Sequence, residues 1–149
     1  MNREHESVLL RVLLGPLVAC LQLFALYVTM HGHYSPGGGF QGGVLLGASL
    51  VLPLLVRVEG RGFVRVSERG AMIMASLGVL LYVAIGCGGL LMGRDFLDYS
   101  ALPLEVSSSA RQSLGILGIE AGVMCCVAGV IVSLYYALFA GADAGEVRS

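Results

Sequence analysis

One carboxylate stands inside the most apolar stretch of the chain: Glu120, within SLGILGIEAGVMCCVAGVIVSLYYALF, where no basic residue shares the run. A carboxylate in such a setting costs several kcal/mol unless it is protonated, paired or hydrated, so it is expected to face a partner or a water path rather than lipid. Desolvation favours its neutral form, which suits a group that takes up and releases protons. A protonated glutamate hydrogen-bonded to a neighbouring helix is the structural alternative. Two histidines, His31 and His33, precede a glycine run. Imidazole titrates near neutrality, so His33 could pass protons at a mouth, although a histidine at a helix entry also serves as an interfacial residue. A spacing of two without a third ligand does not make a metal site.

The glycine run, HYSPGGGFQGG from His33 to Gly43, contains a formal G-x-G-x-x-G at Gly37, Gly39 and Gly42. A dinucleotide fingerprint must follow a strand and open a helix within a βαβ unit. Here apolar runs lie on both sides and the α/β framework is missing, so no phosphate cradle is expected. The segment Leu17-Val18-Ala19-Cys20 looks like a lipoprotein cleavage site, yet the apolar run continues through Val28, and a retained first span is expected. Cys20, Cys87, Cys125 and Cys126 show no ligand spacing and read as small apolar residues. No cofactor, no metal and no catalytic centre are expected.

The elements that position these residues follow from composition. Hydrophobic residues make up 56% of the 149 and charged residues only 13%, against about 25% in soluble domains. Four runs of nearly charge-free sequence approach the roughly 20 residues that cross a bilayer. The expected fold is all-α, a single membrane domain of four spans at about 8–30, 36–56, 71–92 and 115–140. All nine basic residues are arginines. Seven of them, Arg3, Arg11, Arg57, Arg61, Arg65, Arg69 and Arg148, fall on one side of such a topology, and Arg94 and Arg111 on the other. The positive-inside rule then makes both termini cytoplasmic and turns the glycine run outward. A net charge of −1 without a basic patch argues against nucleic acid.

Counted from Phe40, the second span has 17 residues before Arg57, and it reaches 21 if it starts at Pro36. Proline fits a first helical turn and Ser35 would cap it. The glycines then form one end of a helix. Gly38 and Gly42, Gly39 and Gly43, and Gly43 and Gly47 recur at four, as do Gly118 and Gly122, and Gly89 and Gly93. Small residues at this spacing let helix backbones approach closely in lipid. Faces of this kind on three of four spans exceed what four helices can use among themselves, which implies a larger complex. Gly88 and Gly89 are expected to loosen the third span.

GHYSPGGGFQGG followed by an apolar helix, together with GIEAGV in the last span, resembles the B subunit of multisubunit cation/proton antiporters of the Mrp (Mnh) type, over essentially the whole chain. The module also occurs in membrane-bound hydrogenase and formate hydrogenlyase-like complexes. The resemblance implies a small, non-enzymatic subunit of a plasma (inner) membrane assembly that exchanges sodium for protons, or of a redox-driven ion pump sharing the module, helping form the cation or proton pathway, with other membrane subunits of an antiporter or hydrogenase-like complex as partners. It carries over His33, Pro36, Gly37, Gly38, Gly39, Phe40, Gly42 and Gly43 as the glycine motif and Glu120 as an acidic position in the last span. Tyr34 and Ser35 occupy places where the family often has asparagine. A subunit that only seals the complex and conducts no ion is the competing expectation.

Overall fold

The computed structural model describes residues 3–32, 37–56, 65–101 and 107–146, with side chains described from 12 to 139 within those limits. The described residues form four helices: α1 (Arg3–Met30), α2 (Gly39–Leu55), α3 (Glu68–Leu91) and α4 (Ser108–Glu146), with a 3₁₀ turn at Tyr99–Ala101 and no strand among them. α1, α3 and α4 each contain a stretch long and apolar enough to cross a membrane, whereas α2 is a shorter apolar helix of 17 residues. At 1.5 Å per residue α2 is about 25 Å long.

The second helix does not begin at Pro36. Gly38 has φ 120° and ψ −167°, outside the helical region, and the helix opens at Gly39. Only glycine adopts that backbone readily, so the run supplies a turn and then a helix face. Pro36 and its expected cap Ser35 lie outside the described residues, as does His33. α4 is longer than expected at both ends, and Ser107 caps it, accepting from Ala110 N–H at 3.3 Å. Ser67 caps α3, accepting from Gly70 N–H at 3.1 Å, with Glu68 in the favourable first turn.

Packing follows the glycines. α4 lies between α2 and α3, and α1 rests mainly on α2, so the order across the molecule is α1, α2, α4, α3. On the α2–α4 seam Gly39 meets the main chain of Glu120, Gly43 meets Met124 O and Val127, and Gly47 meets Ile131. These pairs advance together, so α2 and α4 run parallel. On the other side of α2, Gly42 receives Thr29 and the Ala25 carbonyl of α1. On the α3–α4 seam Gly78 meets Gly122 and Cys126, Gly129 meets Ala71 and Ala75, and Gly118 meets Ile85. The small-residue faces are therefore satisfied within the chain, and the expectation that they exceed its own needs is corrected. An arrangement this open buries little: among the described residues the buried apolar side chains are Leu14, Val18, Ala25, Leu50, Ala71, Ala128 and Val132, while Leu13, Leu23, Leu80 and Leu91 are exposed.

Gly93 also departs from the packing role. It has φ 73°, and no atom outside its neighbours approaches where its β-carbon would be. Arg94 N–H donates to Gly89 O and Gly93 N–H to Leu90 O, both at 3.0 Å. This is the paired hydrogen bonding of a Schellman helix end. Nor do Gly88 and Gly89 loosen α3, which continues to Leu91. Gly86 and Gly89 instead make room for the following connection, which folds back so that the Phe96 ring covers Gly86 and Leu97 N–H donates to Gly86 O at 3.1 Å.

Candidate functional site at the junction of α1, α2 and α4

Glu120 lies twelve residues into α4, about 18 Å from its start, deeper from the helix end than the apolar run alone suggested. It faces α2, in register with Met124, Val127 and Ile131 on the same seam. Its Oε2 is buried and its carboxyl group is packed against the main chain of Gly32, just past the end of α1, and of Gly38, just before α2. A β-carbon at Gly32 would stand 2.7 Å from Glu120 Cδ, and one at Gly38 would stand 3.3 Å from Oε1. Below the side chain, a β-carbon at Gly39 would come within 2.8 Å of Glu120 Cα. Two glycines thus bring main chain against one carboxyl group, and a third lies on the main chain of the same residue, where any side chain would intrude. The carboxyl group faces the interior of the chain, not lipid.

The remaining motif residues divide by task. Gly37 packs on Val28 and Gly42 on Thr29. Phe40 is 64% exposed. Thr29 is buried, its hydroxyl donating to Ala25 O at 3.0 Å and lying 3.1 Å from the Met124 sulfur. His31 stays on α1: its Nδ1 lies 3.1 Å from Tyr27 O and its ring sits 4.2 Å from that of Tyr27. It is exposed.

Sequence reasoning missed Gly32 and Tyr99. Gly32 stands outside the repeated glycine spacing, and its adjacency to the turn was the only signal. Tyr99 follows α3, and its ring covers Gly115 of α4. Burial raises the Tyr99 phenol above its ordinary value of 10.0, with smaller contributions from the nearby Tyr82 and Glu120. Beside it, Asp98 is held below its ordinary 3.8, first by the Ser100 side chain and then by Ser100 N–H. Ser100 N–H donates to Asp98 Oδ1 at 2.9 Å. Arg94 Nη1 lies 3.4 Å from Asp98 Oδ2 and donates to Ser100 Oγ at 2.6 Å, while Arg111 Nη1 donates to Ser100 O at 2.9 Å. The two arginines at this end therefore hold the connection between α3 and α4, whose residues Leu97, Asp98, Tyr99 and Ser100 line a pocket of about 350 Å³ with Ser108 and Gln112.

Among the described residues no three His, Cys, Asp or Glu side chains converge as a metal would require. The four cysteines are free thiols, Cys20 exposed and the others half-buried.

Comparison with known proteins places this geometry in a family. Residues 9–133 match the domain related to the MnhB subunit of Na+/H+ antiporters. The B subunit of the Na+/H+ antiporter of Bacillus subtilis is 30% identical over 132 residues, covering 83% of this chain and 92% of its own. The corresponding antiporter protein of Alkalihalophilus pseudofirmus is 28% identical over 130 residues, covering 82% and 90%. A putative antiporter subunit mnhB2 of Staphylococcus haemolyticus is 29% identical over 146 residues, covering 93% and 98%. Gly32, Gly38, Gly39 and Glu120 all fall within the matched region, and this chain belongs to the MnhB-related family.

Proposed function

We propose that this protein is a small, non-catalytic subunit of a multisubunit Na+/H+ antiporter in the cell membrane, and that Glu120 is a protonatable group on its cation or proton route. The antiporter names of its relatives support that assembly over a redox-driven, hydrogenase-type one. One observation carries the role of Glu120: its carboxyl group lies inside the chain, against the peptide groups of Gly32 and Gly38, at the point where α1 ends and α2 begins. Intramembrane acids so placed mark ion and proton routes. Peptide dipoles can stabilise either the carboxylate with its cation or the neutral acid, so the site can change state without unfolding.

Four crossings with both termini cytoplasmic complete the reading. The arginine distribution supports it, and α2 at about 25 Å can span a core of about 30 Å with slight local thinning. A cysteine placed at Ser67 is expected to be labelled from the cytoplasmic side alone, and labelling in intact cells by an impermeant reagent would reverse the orientation.

Gly39 rests on the main chain of Glu120, which favours a second, purely structural reading. The two are separated by cation-dependent pH change in inverted vesicles, normalised to assembled complex. If Glu120 carries protons, Glu120→Gln preserves assembly and abolishes exchange, and Glu120→Asp retains part of it with a shifted pH profile. If it is a structural hydrogen-bonding group, the order reverses, because glutamine keeps a donor and an acceptor at full reach. Wild-type exchange in Glu120→Gln would remove Glu120 from the route.

A further inference from the structure

A second feature lies on the opposite side of α4. Gly70, Ile73, Met74, Leu77, Gly78 and Leu81 of α3 line a groove of about 300 Å³ together with Cys125 of α4. The α3 residues share one helix face, and from Gly70 to Leu81 they cover about 16 Å at 1.5 Å per residue. Ile73, Leu77 and Leu81 are exposed along its edge. The floor is Gly78, where the α3 main chain sits directly on Gly122 and Cys126 of α4. The groove is open and apolar along this length, which suits an extended hydrocarbon chain lying in it.

The end of the groove at Gly70 is the charged end. Arg69 precedes Gly70 and stands one turn before Ile73, Arg65 lies four residues earlier, and both are exposed. Glu68, the nearby acid, falls on the far side of the helix from the groove at 100° per residue. The same end is the N-terminus of α3, whose dipole favours an anion. Tyr136 of α4 donates its hydroxyl to Val66 O at 2.9 Å, fixing the entry to the helix, and Tyr135 packs beside it. Tyrosines of this kind mark the headgroup level of a bilayer.

We propose that this groove holds one acyl chain of an anionic phospholipid whose phosphate lies against Arg69, Arg65 and the start of α3. Basic pockets between membrane helices bind acidic headgroups in this way. The lipid seals the α3–α4 seam where the glycines leave it thin, and it ties the subunit to the leaflet on which the arginines lie.

The test uses the complex isolated from its membrane and reconstituted with phosphatidylglycerol carrying a photoactivatable group in one acyl chain, in parallel with phosphatidylcholine carrying the same chain. Labelling is expected on the α3 segment from Gly70 to Leu81 and at Cys125, with phosphatidylglycerol several-fold above phosphatidylcholine. Arg69→Gln lowers the phosphatidylglycerol label about fivefold. Leu77→Trp fills the groove and removes the label from an assembled complex; if that variant does not assemble, the headgroup comparison in wild type and Arg69→Gln decides alone. Equal labelling by both lipids, unaffected by Arg69→Gln, would mean ordinary boundary lipid and overturn the proposal. Cross-linking of Cys125 to another subunit's helix would overturn it as well.

Discussion

The two seams of α4 are both made with glycine, but they are made differently. On the α2 side every glycine belongs to α2; Gly39 rests on the Glu120 main chain, but farther along α4 answers with side chains, Val127 beside Met124 O at Gly43 and Ile131 at Gly47. On the α3 side glycines stand on both helices, Gly78 against Gly122 and Gly129 against Ala71, so main chain meets main chain. The first seam works as notches receiving knobs and can accommodate a large polar side chain. Glu120 occupies its end. The second has no room for one, and its thinness leaves a groove on the outside. Close approach alone therefore does not decide what a glycine seam is for; the residues opposite the glycines do.

Alanine substitutions should separate these cases by severity. At Gly78 a β-carbon would stand 2.5 Å from Cys126 N, and at Gly39 2.8 Å from Glu120 Cα, both against main chain that cannot turn aside. Gly78→Ala and Gly39→Ala are expected to cost at least the 1–3 kcal/mol or so of an overpacked core and to reduce the subunit in native gels of the complex. Their leucine variants, with Gly43→Leu, should abolish assembly. At Gly47 the obstacle is the Ile131 side chain, 2.9 Å from the added carbon, so Gly47→Ala should be milder. Assembly unaffected by Gly39→Leu would show that the α2–α4 seam does not form as described.

A smaller effect distinguishes the buried acid from the surface one. Asp98 is held below 3.8 by Ser100, so its hydrogen bonds are in place at every pH above that value and weaken only as pH falls through the lowered value. The direction is that of a depressed carboxylate: its contribution is present above the unfolded value and lost on acidification. Asp98→Asn is therefore expected to leave the pH profile of exchange near neutrality unchanged, while Glu120→Asp shifts it. A shift in Asp98→Asn comparable to that in Glu120→Asp would move the titrating group to the α3–α4 connection.

The smallest effect lies on α1. Gly15 has nothing within 4 Å of where its β-carbon would be, so Gly15→Ala meets open space inside a helix and should stabilise it by about 0.8–1 kcal/mol through helix propensity. Thermal unfolding of the complex should rise slightly or stay level. A fall would mean that a partner in the assembly packs against Gly15.

The existence and type of the helices were legible without coordinates, because a bilayer or a core must satisfy every backbone group and long apolar runs leave only helices. Glu120 was legible for the same reason: one charge in such a run has few cheap explanations. Where α2 begins was not. Proline and serine at 35–36 satisfy the local rules for a helix start, yet Gly38 takes φ 120° and the helix opens three residues later. Nor could spacing say what each glycine meets. Gly39 and Gly43 meet α4, Gly42 meets α1, Gly89 meets the connection from α3, and Gly93 ends a helix. A run of glycines states only that side chains are absent on a face. Which backbone fills that space depends on the order and stagger of the helices, set by the sum of contacts along all four. Sequence thus determined the helical class and the one intramembrane acid through local and solvation energetics. The tertiary structure decided that Gly32, Gly38 and Gly39, near the end of α1 and the start of α2, close on that acid, because residues remote along the chain become neighbours only once the helices pack.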